Sequence, residues 1–419
     1  MARALTTQDA HALMNELVHE ATGQSAISVV DTSSFVSAGE TVLSTGFENT
    51  LNALSLVIGR TLVASRPYNA KLKIINAENT GAYSHRMRKI SFYSRDAKES
   101  GYFNTDLYTN FADGYSNGTN PVGGVDQSTK SMWEQNQPIP LEVNFAGSST
   151  WQVSNTIYQD KLEQAFRSED DFNRFIAGIL TELANDIESQ KEAFNRMQII
   201  NYIGALYDGN VPRTLVNLTY EFNQHYGTSY TSKQLRTTYA TEFLEFFVAR
   251  FKIDSDYMSE RSDIFHWAPT VAGHALLRHT PKDKQRTILF NPLFTEAKTK
   301  VFPEIFNPEY LNIDTSYEGV NFWQAIDSPE QVRVEPAMMD IAGGSGQQVK
   351  GTAVNLDYVV GLLYDEDALM VDYQLERVLT SPIEARKGYY TVWYTFAKNA
   401  IQDQTENGIL YYMADPVGP

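Results

Sequence analysis

Apolar residues recur at intervals of three and four along the stretch from Ser168 to Tyr207: Phe172, Phe175, Ile176, Ile179, Leu180, Leu183, Ile187, Phe194, Met197 and Ile200. The stripe breaks once, at Gln190. Ser168 is a natural N-cap, and Glu169, Asp170 and Asp171 place negative charge where the helix dipole is positive. The pattern predicts a helix from Glu169 to about Ile203, closed at Gly204 and followed by a turn at Asp208 and Gly209. At 1.5 Å per residue it is roughly 50 Å long. Its other face carries Asn173, Arg174, Thr181, Glu182, Asn185, Asp186, Ser189, Glu192 and Arg196, so that side stays wet. Asp170 with Arg174 and Glu192 with Arg196 have the spacing of helical ion pairs. Gly178 costs about 1 kcal/mol against alanine, which points to close packing there. A helix of this length needs a partner for its apolar stripe, because isolated helices draw little stability from propensity.

Before it, Thr6 or Thr7 caps a first helix with Leu13, Met14, Leu17 and Val18 on one face, ended by Gly23. Gln24 to Thr41 reads as a polar, β-branched connector. The segment GFENTLNALSLVIGRTL then aligns Phe47, Leu51, Leu54, Ile58 and Leu62 as a second helix. From Pro67 the character changes to strand, turn, strand: Ile74 and Ile75, then Asn79 to Gly81, then Ile90, Phe92 and Tyr93. A tract dense in Gly, Asn, Ser and Tyr follows, and an alternating run through Ile139, Leu141, Val143 and Phe145 closes it. An insert this long fits a compact domain poorly, whereas an extended two-stranded flap steadied by another subunit accommodates it. Beyond the long helix, Thr231 or Ser232 caps a helix with Leu235, Tyr239, Phe243, Phe246, Phe247 and Phe251 inward. Short β runs are expected at Gln331 to Val334 and Leu356 to Tyr364. The end alternates through Tyr390, Val392, Tyr394 and Phe396, and again through Ile409 and Tyr411, as a closing hairpin.

Composition narrows the chemistry. A chain of 419 residues exceeds one core, so two or three lobes are expected. Without cysteine there are no disulfides and no thiolate chemistry. No apolar run has the length of a membrane span, and residues 1 to 25 lack a secretion signal, so synthesis in the cytoplasm is expected. A net charge of −17 argues against a nucleic-acid binder, since phosphate affinity rests on Lys and Arg. The 24 Tyr and 5 Trp admit an enzyme or a carbohydrate-binding protein, but no paired acid, nucleophile or cofactor motif supports either. His266, His274 and His279 lack the helical spacing of a zinc pair. Gly343, Gly344 and Gly346 precede Lys350, Gly351 and Thr352 in an order that fails the P-loop pattern, leaving a flexible loop. Asp365, Glu366 and Asp367 read as a polar turn in which Asp365 or Asp367 caps Ala368 to Val371, without the spacing of a calcium loop. Arg86, Arg88, Lys89 and Arg95 make a basic stripe, either a solvated strand face or a partner for an acidic patch on the next subunit. Asn117, Gly118 and Thr119 match a glycosylation acceptor only formally. No catalytic, cofactor-binding or metal-binding residue is therefore expected, and no cofactor.

The order of elements resembles the major capsid protein of tailed phages, with the Hong Kong 97-type fold. The stretches that carry the resemblance are GFENTLNAL, the flap ending in IPLEVNF, the helix start SEDDFNRFI, RHTPKDKQRTILFNPLFTEAK and VVGLLYDEDALMVDYQLERVLTSPIEARKGYYT. The resemblance implies an α+β fold with an N-terminal arm (1–66), an extended β flap or E-loop (67–147), a peripheral domain with the spine helix (148–212), a mixed axial domain (213–364) and a C-terminal return to the peripheral sheet (365–419). It also implies a non-enzymatic subunit that assembles with itself, as pentamers and hexamers, into the icosahedral head of a virion around double-stranded DNA. Assembly would take place in the host cytoplasm. No helix-rich extension precedes the first helix, so assembly control is expected from a scaffolding protein, or the chain is a processed form. A portal is a further expected partner and a decoration protein a candidate one, while DNA contact would be weak and non-specific and no membrane is involved. An encapsulin-like compartment shell is the alternative, with a tail or baseplate protein behind it.

Overall fold

The computed structural model describes residues 7–23, 28–46, 49, 50, 53, 75–78, 87–94, 138–147, 149–211, 213–271, 273–293, 316–382, 384 and 386–415. Helix α1 (Thr7–Thr22) and helix α2 (Thr32–Ser44) come first. The second lies within the stretch expected to be a connector. Its start is set by a capping box in which the Asp31 carboxylate accepts the Ser34 N–H and the Ser34 hydroxyl faces the Asp31 N–H. Phe35, Ala38 and Val42 are its buried face. Of the helix expected from Gly46 to Leu62, only Asn49, Thr50 and Ala53 are among the described residues, and they are helical.

Strand β1 (Asn76–Glu78) and strand β2 (Met87–Phe92) do not form the expected strand-turn-strand unit. The first joins a large sheet, and the second pairs antiparallel with β3 (Pro140–Phe145), with Met87 opposite Phe145 and Phe92 opposite Pro140. The predicted second flap strand is thus in place, and β2 and β3 form a ribbon. The predicted flap turn at 79–81 and the Gly-, Asn-, Ser- and Tyr-rich tract at 101–137 lie outside the described residues.

Strand β4 (Ser149–Tyr158) and helix α3 (Gln159–Ala165) lead into α4 (Glu169–Gly209). Ser168 caps α4 as expected, accepting from the Asp171 N–H. The helix has 41 residues, about 60 Å. It overruns the predicted stop because Gly204 is a packing position: a Cβ there would lie 2.5 Å from Val334 Cγ1 and 3.2 Å from Pro336 Cβ. The stop is Asn210, in the left-handed conformation at φ 44°, whose N–H bonds the Leu206 carbonyl. Met197, placed on the inward stripe by spacing, is 53% exposed, while Asn195 and Gln198 are buried. Asn185, Asp186 and Ser189 face water as expected, and Glu192 pairs with Arg196 at 3.0 Å. Gly178, the pair Asp170 and Arg174, and the side chains of Asn173, Ile176, Ile179, Leu180, Thr181, Glu182 and Leu183 lie outside what is described.

After α4 come β5 (Leu215–Asn217), α5 (Leu218–Tyr226), α6 (Ser232–Thr237) and α7 (Ala240–Ser259). The helix expected from Thr231 is two helices: Thr231 caps α6 in a capping box with Gln234, and the chain breaks at Thr238 and Tyr239. Leu235, Phe243, Phe247 and Phe251 are buried as predicted, and Tyr239 and Phe246 are partly buried against the same core. Strands β6 (Gln285–Phe290), β7 (Ser316–Val320), β8 (Val332–Val334), β9 (Ala337–Met339), β10 (Gln348–Lys350), β11 (Val354–Leu356), β12 (Val359–Asp365), β13 (Leu369–Thr380), β14 (Tyr389–Gln402) and β15 (Gly408–Tyr412) complete the chain.

Two large sheets organise the fold, while β8 pairs with β11 and β9 with β10 as separate two-stranded ribbons. One has the order β1-β13-β14-β4 and the other β5-β15-β12-β6-β7. The expected closing hairpin is absent. Strand β14 pairs with β13 and β4, whereas β15 pairs with β12 and β5. The chain crosses from one sheet to the other through residues 403–407. Two hydrophobic clusters match the two sheets. The first gathers α1, α2, α3, Phe172 at the start of α4, and Tyr390, Val392 and Tyr394 of β14. The second gathers the end of α4, α7 and the five-stranded sheet.

Candidate assembly site

The ribbon β2–β3 alternates between its two faces. Arg88, Ile90 and Phe92 point outward, and Met87, Lys89 and Ser91 point toward the body. Ile90 is 50% and Phe92 59% exposed, with Pro140 opposite Phe92. Arg88 meets Glu142 at 2.7 Å across the ribbon. An exposed apolar pair flanked by an ion pair is a surface suited to a protein partner.

The inward face is polar. Lys89 Nζ lies 2.9 Å from Asp403 Oδ2 and 2.6 Å from Glu406 Oε1. Arg278 meets Glu406 at 3.1 Å and donates to Ser91 Oγ at 2.8 Å and to the Thr405 carbonyl at 3.1 Å. Of the predicted basic stripe, then, Arg88 pairs with Glu142 and Lys89 with carboxylates of its own chain, while Arg86 and Arg95 lie outside the described residues.

The crossover from Asp403 to Asn407 is five polar residues in a row, all buried. Burial of such groups is tolerable only when each finds a partner. Asp403 Oδ1 accepts the Thr405 N–H at 2.8 Å and its hydroxyl at 2.6 Å. Gln404 accepts the Met339 N–H at 2.7 Å and donates to the Ala205 carbonyl at 3.1 Å, tying β9 to α4. Asn407 donates to Thr280 Oγ1, and Thr280 donates to Asp365. Burial pushes the carboxyls of Glu406 and Asp365 above their ordinary range. For Lys89 burial pulls the other way, but Asp403 and Glu406 outweigh it and hold the amine above its ordinary value.

The residues singled out for chemistry are not brought together. His266 is buried, its ring nitrogens 3.0 Å from Asn407 Oδ1 and from the Leu276 carbonyl, and burial lowers its pKa. His279 is exposed, and His274 pairs its backbone with Val271. Among the described residues no group of three or more His, Asp or Glu is placed to hold a metal. In the glycine loop, Asp340 accepts from the Gly343 N–H and the Ser345 hydroxyl, both at 2.7 Å, while Lys350 pairs with Glu335. Asp365 to Asp367 form the expected polar turn, with Asp365 accepting the Asp367 N–H and Glu366 held by Lys284 and Arg286. Asn117, Gly118 and Thr119 lie outside the described residues. Asp403 and Glu406 escape a reading of the sequence, because a run of polar residues between two strands looks like an exposed turn.

No curated protein matches the chain. Among solved structures, the capsid of Staphylococcus phage Andhra aligns at TM-score 0.50 and 11% identity, over 81% of this chain and 83% of that one. The mature capsid of bacteriophage PhiM1 aligns at TM-score 0.42 and 8% identity, over 84% and 87%. The capsid of cyanophage P-SCSP1u aligns at TM-score 0.41 and 8% identity, over 82% and 87%. The fold is the α+β fold of phage capsid proteins, the Hong Kong 97 type expected from the order of elements. Residues 124–412 match the Phi29-like phage major capsid protein family, well over half the chain. With its two sheets, its long helix and its outward ribbon, the chain belongs to that family and is a structural capsid subunit of a tailed-phage head.

Proposed function

We propose that copies of this chain close into an icosahedral head, as pentameric and hexameric rings, around double-stranded DNA. Membership in the capsid family carries this reading, and the exposed Ile90 and Phe92 on the ribbon supply a surface a neighbouring copy can cover. Closed rings of one chain need heterologous contacts, and a protruding ribbon provides one half of such a contact. The division of labour is an arm at 1–66, a flap at 67–147, a peripheral domain with the long helix at 148–212, an axial domain at 213–364 and a return at 365–419. The subunit acts by assembly, not catalysis. It forms in the host cytoplasm, with a scaffolding protein and a portal as partners and a decoration protein as a further one. An encapsulin-like shell differs in its contents, an enzyme cargo in place of DNA.

Light scattering and negative-stain microscopy of the purified protein, with and without its phage partners, test the reading. Closed shells or ringed sheets are expected. A strictly monomeric or dimeric species under every condition sinks it. Replacing Tyr102 to Met132 with a short Gly/Ser turn should leave a folded, helical subunit that fails to build stable shells.

A further inference from the structure

The ribbon β2–β3 meets the body through buried charge as well as through the buried Ser91 and Tyr93 and a hydrogen bond from the Ser94 N–H to the Ala275 carbonyl. At its Met87 and Phe145 end lies a half-open pocket of about 170 Å³, lined among the described residues also by Arg88, Lys89, Asp367, Met370 and Ile401. Among the described residues, the apolar side chains at this end line that pocket rather than close it. What bridges the gap is a balanced cluster: Lys89 and Arg278 as cations, Asp403 and Glu406 as anions, with Lys89 the member that comes from the ribbon. The carboxylates sit on the crossover between the two sheets, and the same crossover grips α4 through Gln404 and the 266–280 segment through Asn407.

We propose that Lys89 is a positioning residue that sets the orientation of the ribbon against the junction of the two sheets. The physical basis is the all-or-none character of a buried ion cluster. Withdrawing Lys89 leaves Asp403 and Glu406 with one cation between them in a desolvated site, so half-docked positions are disfavoured and the ribbon is held at one angle. Because the crossover moves with both sheets, any change in their relative position is transmitted to the ribbon, and through it to whatever the ribbon touches. Arg278 reinforces the same link through Ser91, a second polar inward residue of β2.

The chain contains no cysteine, so two introduced cysteines take spin labels cleanly. Ile90→Cys on the ribbon and Ser189→Cys on α4 are both exposed positions. Double electron–electron resonance on the free subunit should give one narrow distance distribution. Lys89→Met should at least double its width, and so should the charge-balanced pair Lys89→Met with Asp403→Asn, which removes the anchor without stranding a buried carboxylate. Lys89→Arg should restore the narrow distribution. The pair variant keeps the test decisive if Lys89→Met fails to fold. A folded pair variant with the parent's narrow distribution, or a drop in melting temperature with the distance unchanged, overturns the proposal. The readout is taken on the unassembled subunit, so it stands or falls separately from shell formation.

Discussion

Lys398 is buried where α4 crosses the four-stranded sheet, and its surroundings set an unusual balance. Its Nζ lies 3.9 Å from the ring centre of Phe194, 5.1 Å from that of Trp151 and 5.3 Å from that of Phe396, and 3.5 Å from the Gln190 carbonyl. The rings favour an ammonium, but burial, aided by the nearby Lys191 charge, pulls its pKa down to about 7. Lys191 in turn stands 3.8 Å from Glu376. The sign follows from linkage. Between the ordinary value of 10.5 and about 7 the unfolded chain holds the proton and the folded chain does not, so stability falls as pH drops through that window and is level below it. Lys398→Met should therefore raise the melting temperature at pH 7 and flatten its slope between these values. Thermal melts of both proteins across that range check it, and an unchanged slope refutes it.

The long helix shows how an element can be legible while its end is not. Its N-cap, acidic first turn and apolar period all fix the start by local chemistry, and the structure has the start where they place it. The stop depended on Gly204, which looks like a terminator to any local rule. In the fold it is where Val334 and Pro336 lie against the helix. Gly204→Val should then destabilise by about 1 to 3 kcal/mol through overpacking, although a side chain there would otherwise favour the helix. Denaturant unfolding measures this, and a stabilised variant shows the contact to be loose. Helix α2 illustrates the converse. Its capping box and its Phe35, Ala38 and Val42 spacing are in the sequence, but Ser, Thr and Gly dilute its apolar pattern, and its buried face has meaning only against α1, Phe166 and Phe172.

Across the whole molecule, the acidic balance bears on what the head holds. With 51 acidic against 34 basic residues the net charge of −17 repels phosphate, and Lys89, Arg250, Arg278 and Arg286 are engaged in ion pairs with carboxylates of the chain itself. The soluble subunit should show no appreciable affinity for duplex DNA near physiological salt, since such affinity grows with the number of phosphates neutralised. A fluorescence-anisotropy titration checks this, and a sub-micromolar, salt-sensitive dissociation constant contradicts it.

The sequence by itself determined the long helix with its capped start, the second strand of the ribbon, the caps at Thr231 and Ser168, the polar turn at Asp365 to Asp367, and the fold class through the order of its elements. Each of these follows from interactions within a few residues or from a periodicity that any neighbour satisfies. Only the tertiary structure decided which strand pairs with which. Tyr390 to Phe396 and Ile409 to Tyr411 alternate alike, and alternation states that a strand has a buried face but not against what. The five polar residues between them resemble a hairpin turn, and they are the crossover joining the two sheets. The sequence leaves Lys89 either on a solvated strand face or opposite another subunit's acidic patch for the same reason: its partners Asp403 and Glu406 lie more than three hundred residues away, and burial of a charged group is set by what folds over it.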